Sequence, residues 1–333
     1  MHLREFLYVD TEKVRSMLAQ IEGGIEEDER NTVRTDKRTE GGVRGFASHY
    51  QNWADERYVN KSFGDALFPV LEQSLEVHNL LADISDQLTD VELWRSGTIA
   101  DSWPAGSMVR ITSPGSLFDS RFVASSLAGT AATYMGLQGL LDEGQSRQGA
   151  SRGGNNRRSQ GSRSSEGDGT QNLEDLIPDY QISSEMEFLP SSQLRALIRV
   201  ARGLFSPGLH MNLTPTDDDE IVISARLQEG RQFLDSEPDV LFARYGLDVQ
   251  EWTMVGLVGH HAAPASTTPS FEDFANDEGL KRGKAASTVN SFMKVMGVTG
   301  LTDLPQHPGF SMVPIAVYRT MITPASTELM PSP

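Results

Sequence analysis

Apolar and polar positions change period several times along the chain, and each change marks an element. Leu3 to Val9 is rich in Leu, Phe, Tyr and Val with only loose alternation, the pattern of a strand covered on both faces and central or near-central in a sheet. From Thr11 the pattern becomes Val14, Leu18 and Ile21, four and three apart, so one apolar stripe predicts a helix that Gly23 and Gly24 end. Between Ile25 and Lys61 charge dominates and no period is sustained, which reads as a loop or irregular hairpin. Leu67, Val70, Leu71, Leu75, His78 and Leu81 then recur at helical spacing, with Phe68, Val77 and Leu80 on a second face. A helix from Gly64 to about Leu93, buried on two sides, is the expectation. MVRIT reads as a short strand, and PGSLFD leads into a helix from Phe122 to Leu141. Within it Ala124, Ala128, Ala132 and Gly136 form a four-residue repeat that permits close packing.

Past residue 143 almost no apolar residue occurs until about 172, so ordering this stretch is not offset by burial and disorder is predicted. The pattern resumes with Leu194, Leu197, Ile198 and Ala201 as a helical stripe behind Ser191 or Ser192 as N-cap. HMNLT and EIVISARL flank PTDDDE as a hairpin, and Pro238 to Tyr245 is a helix that Gly246 stops. EWTMVGLVGHH reads as a long apolar strand whose Gly256 and Gly259 predict a bulge or close backbone approach. A helix over Lys284 to Met296 and a strand SMVPIAVYRTMI follow, with Pro314 placed near an edge or bulge. The fold class expected is α+β, a mixed α/β sheet with packed helices. Its N-terminal half is 1–142 and its C-terminal half 173–322, separated by a disordered Arg/Ser/Gly-rich insert at 143–172 and followed by a disordered tail at 323–333.

Composition narrows the function classes. Lys plus Arg number 29 against 46 Asp plus Glu, and the net charge of -17 repels phosphate backbones over most of the surface, so nucleic-acid binding in general is disfavoured. With 0 Cys there are no disulfides, thiol nucleophiles or thiolate metal sites, which fits a reducing cytoplasm. The charged N-terminus and its short apolar run FLYV are unlike a secretory leader. Phe122 to Leu141 lacks charge, yet its Ser, Thr, Gly and Gln suit a buried helix better than a membrane span. The expected location is cytoplasmic.

The segment FLYVDTEKVRSMLAQIEGG, through Phe6, Leu7, Tyr8, Asp10, Val14, Ser16, Leu18, Ala19, Gln20, Gly23 and Gly24, resembles the start of a family of uncharacterised bacterial proteins that reads FLYxDxxxVxSxLAQxxGG. WTMVGLVG looks like a later shared segment. The resemblance implies a bacterial cytosolic protein and carries no reaction, cofactor or catalytic residue with it.

Candidate chemistry is sparse. Asp10, between strand and helix, stands where α/β folds bind ligands, and equally where a carboxylate caps a helix. No glycine-rich turn accompanies it, so dinucleotide binding lacks its first requirement. His260 and His261 end an apolar strand and are the general-base candidates, although adjacent strand residues face opposite ways. Asp217, Asp219 and Glu220, within the dense acidic cluster, are the candidates for a hard cation, and a solvated turn is the simpler reading. Arg152, Arg157, Arg158 and Arg163 make the insert locally basic and able to touch RNA, without aromatic residues for stacking. No nucleophile-elbow, phosphate-loop or kinase signature is present. The expectation is a non-enzymatic regulatory or interaction protein that binds a small ligand or a protein partner and uses no cofactor. The alternatives are a hydrolase or nuclease built on Asp10 with His260 or His261, and RNA contact through the insert.

Overall fold

A computed structural model describes residues 3–21, 56–146, 177, 190–264, 275–276 and 279–321. The chain forms two compact units, residues 1–118 with 208–333 and residues 119–207. The first is mixed α+β. It comprises β1 (Arg4–Val9), α1 (Thr11–Ile21), α2 (Glu56–Val77), β2 (Ala82–Asp83), the short helices α3 (Ser85–Leu88), α4 (Val91–Arg95) and α5 (Thr98–Ser102), and β3 (Met108–Phe118). The second unit holds α6 (Ser120–Ser146) and α7 (Ser191–Leu204). The first unit then continues with β4 (Leu209–Leu213), β5 (Ile223–Leu227), α8 (Pro238–Tyr245), β6 (Gln250–His261), β7 (Ala275–Asn276), β8 (Gly279–Leu280), α9 (Arg282–Val298) and β9 (Phe310–Thr320).

Five strands close on themselves. β3 pairs with β4, β4 with β5, β5 with β9, β9 with β6 and β6 with β3, and every pairing but the parallel β5·β9 is antiparallel. Counted along the chain, the ring runs first, second, third, fifth, fourth and back to first, with a helix, α8, between the third and fourth strands. This is the Greek-key connectivity of an OB-type barrel. Alternation sends Val109, Ile111, Leu117, Met211, Leu213, Ile223, Ala225, Met254 and Phe310 to buried positions.

Two long ring strands, β3 and β9, each carry a proline where they exchange neighbours. Pro314 of β9 lies after the β5 pairing, which ends at Met312, and before the β1 pairing, which starts at Ala316. Pro114 of β3 lies after the β2 pairing at Val109 and Arg110 and before the β4 pairing from Gly115. A missing N–H costs least at such a gap. The predicted bulge is present in β6: Gly259 is the extra residue between Val258 and His260, and Gly256 faces Pro314 at a second register shift.

Helices α1 and α2 cover the outside of the ring along β1, β9 and β6, burying Val14, Leu18, Phe68, Leu71 and Leu75 against Val9, Val255, Ala316 and Tyr318. Trp94 of α4 stacks on Phe310 at 5.6 Å between ring centroids and donates Nε1–H to the Leu88 carbonyl. Tyr245 of α8 meets Trp252 edge-on at 5.2 Å.

Several expectations need correction. β1 ends the sheet and is not central, being paired only with β9 apart from an isolated bridge of Tyr8 to Leu234. Its apolar run is explained by coverage of both faces, since Leu7, Tyr8 and Val9 are all buried. The helix expected to reach Leu93 stops at Val77, and Asn79 takes a positive φ of 55° that breaks it. Val77 is consequently 71% exposed and adds nothing to a second buried face. The strand expected to end with MVRIT runs on through Pro114 and Gly115 to Phe118.

In the second unit Ala124, Ala128 and Ala131 pack with Leu194, Ile198 and Ile177. The predicted fourfold repeat shifts to spacings of four and three because a helix turns every 3.6 residues. α6 extends to Ser146, four residues into the predicted insert, and the rest of that insert and the tail lie outside the described residues. Among the described residues no helix is long and apolar enough to cross a membrane.

Candidate functional site

Asp10 is the N-cap of α1. Its Oδ1 accepts the backbone N–H of Lys13 at 3.0 Å, its Oδ2 receives Lys13 Nζ at 2.6 Å, and its own carbonyl accepts from the Val14 N–H. The Tyr8 hydroxyl donates to the same carboxylate and accepts from the backbone of Gln228. Burial, with the Asp10 charge beside it, pushes the Tyr8 hydroxyl well above its ordinary value, so the phenol stays protonated. Three donors thus engage this carboxylate, which ties β1 to the start of α1.

The histidines stand elsewhere. His260 is exposed and its backbone N–H donates to Ser311 Oγ, whereas His261 points the other way and donates Nε2–H to the Trp103 carbonyl at 2.7 Å. Asp10 bonds through its backbone at Ile315 and His260 pairs at Ser311, on opposite neighbours of β9. Four residues of strand and two strand spacings separate them, on the order of 15 Å. Asp10, His260 and His261 therefore do not converge on one reacting centre.

Asp217, Asp219 and Glu220 are exposed in the β4–β5 turn. Asp218 between them closes the turn by accepting the Glu220 N–H and pairs with Arg95 at 3.0 Å. Among the described residues no group of three or more His, Cys, Asp or Glu could hold a metal ion. Arg152, Arg157, Arg158 and Arg163 lie outside the described residues.

Two groups that the sequence reading passed over are prominent. Glu72 of α2 is buried and receives Arg4, Arg110 Nη2 at 2.7 Å and the Tyr318 hydroxyl at 3.0 Å, while Arg110 also binds Glu76. Its signal was a single carboxylate on the apolar stripe of Phe68, Leu71 and Leu75. The other group is the outer face of β4 and β5. Cross-strand pairing aligns Ser116, Asn212 and Ser224 in one row and Phe118, His210 and Arg226 in the next. Phe118 meets the His210 ring at 6.4 Å, and Asp303 approaches His210 Nε2 at 3.8 Å.

At the end of this second row lies a cavity of about 300 Å³ lined by Gly208, Arg226, Leu227, Gln228 and Glu229. Gly208 has a φ of 141°, and a Cβ there would stand 2.9 Å from Arg226 Nε. Glycine is what allows the guanidinium to lie across the backbone. Gln228, which lines the cavity, is also the residue whose backbone meets the Tyr8 hydroxyl. Residues 3–318 match a family described as a domain of unknown function, DUF6414. The chain belongs to that family. No curated protein and no solved structure matches it. Membership in DUF6414 brings no reaction with it, so the chemistry rests on the residues of the cavity: one guanidinium, one carboxylate, one amide and the aliphatic Leu227.

Proposed function

We propose that the protein is a non-catalytic binding module whose β4–β5 wall takes a small ligand bearing a carboxylate or phosphate. The observation that carries this reading is the cavity in which Arg226 lies across Gly208, with Gln228 and Glu229 beside it. A guanidinium offers paired N–H donors that match both oxyanions, the Gln228 amide can donate beside it, and the Glu229 carboxylate, an acceptor only, favours a ligand that presents a hydrogen-bond donor away from its anionic group. The volume suits a small molecule and is at the low end for such sites. Position supports it by analogy of fold: OB-type barrels bind ligands on their second and third strands, and here those strands are β4 and β5.

The test is a thermal-shift titration with inorganic phosphate and with citrate, each against sodium chloride at matched ionic strength. The folded protein should gain stability with at least one of the two anions, and the Arg226→Ala protein should not. Equal responses of both proteins to both anions would sink the assignment.

A further inference from the structure

The two faces of α9 are reversed relative to a surface helix. Its half-buried positions are Ala285, Thr288, Ser291, Val295, Met296 and Val298, with Gly297 buried, so that the first three turns set only small or polar residues inward. The other side carries the exposed Arg282, Ala286, Val289 and Met293 at spacings of four, three and four, with Phe292 flanking and the half-buried Met296 at its edge. Val289 is 57% exposed, Met293 41% and Phe292 40%. A surface helix normally turns its larger apolar residues inward, and a four-three seam is the spacing by which one helix packs along another.

Charge on this helix is equally out of place. Lys281, Arg282, Lys284 and Lys294 occur with no Asp or Glu from 281 to 302, in a chain of net charge -17. Three of the four sit at the N-terminus, where the helix dipole disfavours cations, and no side chain caps that end.

We propose that α9 pairs antiparallel with α9 of a second copy of this chain, about a two-fold axis that crosses the Val289–Met293 seam midway, at the level of residue 291. In that register Val289 packs on Met293 of the other copy and Ala286 on its Met296, so small faces large at each layer. Arg282 and Lys284 come beside the last turn of the opposite helix, whose carbonyl end is negative, and beside Asp303, whose carboxylate is partly exposed. The seam is self-complementary in size and in charge, as a two-fold interface must be. A helix of 17 residues is about 25 Å long, and pairing two of them buries on the order of 1,000 Å², the lower limit for a specific interface. The dimer is therefore concentration-dependent.

Sedimentation equilibrium of the full chain over a wide micromolar range tests this. A reversible monomer–dimer equilibrium is expected, lost in Val289→Glu and in Met293→Glu while their thermal melts stay near that of the parent, since both positions are exposed. Because the chain has 0 Cys, orientation can be read directly. Mixed Val289→Cys and Met293→Cys chains should form the crossed disulfide several-fold faster than mixed Val289→Cys and Arg282→Cys chains. A monomer at every concentration, a dimer that survives both Glu variants, or equal crosslinking of the two mixtures would overturn the proposal. So would a monomer that floats with phosphatidylserine vesicles through α9, which would make a bilayer the occupant.

Discussion

One barrel carries two unlike outer walls. Along β9, β6 and β3 the outward residues are Tyr318, Val255 and Met108, and α1 and α2 lie on them. Along β4 and β5 the outward residues are His210, which is buried beside Phe118 and Asp303, the half-buried Asn212 and Ser224, and the exposed Arg226, at whose end the cavity lies. The inward faces of the two walls are alike, so the barrel itself does not distinguish them. What differs, among the described residues, is the chemistry of the outward positions: α1 and α2 lie on apolar side chains of the first wall, whereas the second presents polar ones, with His210 buried beside Phe118 and Asp303 and Arg226 exposed. On the covered wall buried charges converge on Glu72 and link α2 to β1, β3 and β9. At the Arg226 end of the second wall a guanidinium borders a cavity.

That contrast fails first, or holds first, at Glu72. Glu72→Ala leaves Arg4 and Arg110 facing an apolar layer and should cost about 3–5 kcal/mol in urea unfolding. The same wall should show an alkaline limit. Burial, with the Glu72 charge next in size, pushes the Tyr318 hydroxyl up to about 12. An unfolded tyrosine ionises near 10, so this stabilisation is complete below about pH 10 and is lost as pH rises towards 12. Unfolding free energy followed from pH 9 to pH 12 should fall, and Tyr318→Phe should flatten the fall. A Phe variant with an unchanged slope would place the titration elsewhere.

Next in size is Gly256. A Cβ at this position would come within 2.5 Å of the Val313 carbonyl and 3.0 Å of Pro314 Cα, both backbone atoms that cannot swing aside. Gly256→Ala should cost about 1–3 kcal/mol by overpacking where β6 meets β9, as measured by the shift of the denaturation midpoint. A neutral result would mean that the β6–β9 seam yields more readily than its packing implies.

Alternation and end signals made most elements legible: Gly246 stopping α8, Gly259 bulging β6 and the hairpin of β4 with β5 were all readable from local chemistry. The closure of the ring was not, because β3·β6 and β5·β9 join segments far apart in sequence and no local pattern specifies a non-local partner. β1 was misplaced for a related reason. An apolar run reports that both faces are covered, and helices with a short loop cover an edge strand as well as neighbouring strands would. Asp10 was correctly legible as a cap candidate, since the chemistry of a helix start is local. Arg226 was legible only in part: alternation in ISARL puts it outward, but the cavity also needs Gly208, eighteen residues away and just before the neighbouring strand.

The smallest expected change is the most discriminating. Arg226 is exposed, so Arg226→Ala should alter unfolding free energy by no more than about 0.5 kcal/mol. Gly208→Ala should move the guanidinium without removing it, and its φ of 141° adds strain that the unfolding midpoint records. A binding wall predicts a split: stability nearly untouched by Arg226→Ala, anion-induced stabilisation abolished. A packed wall predicts the opposite split, with a cost approaching that of Glu72→Ala and no change in the response to phosphate or citrate. Measuring both quantities on both walls decides whether the difference between them is one of function or only of which helix lies nearest.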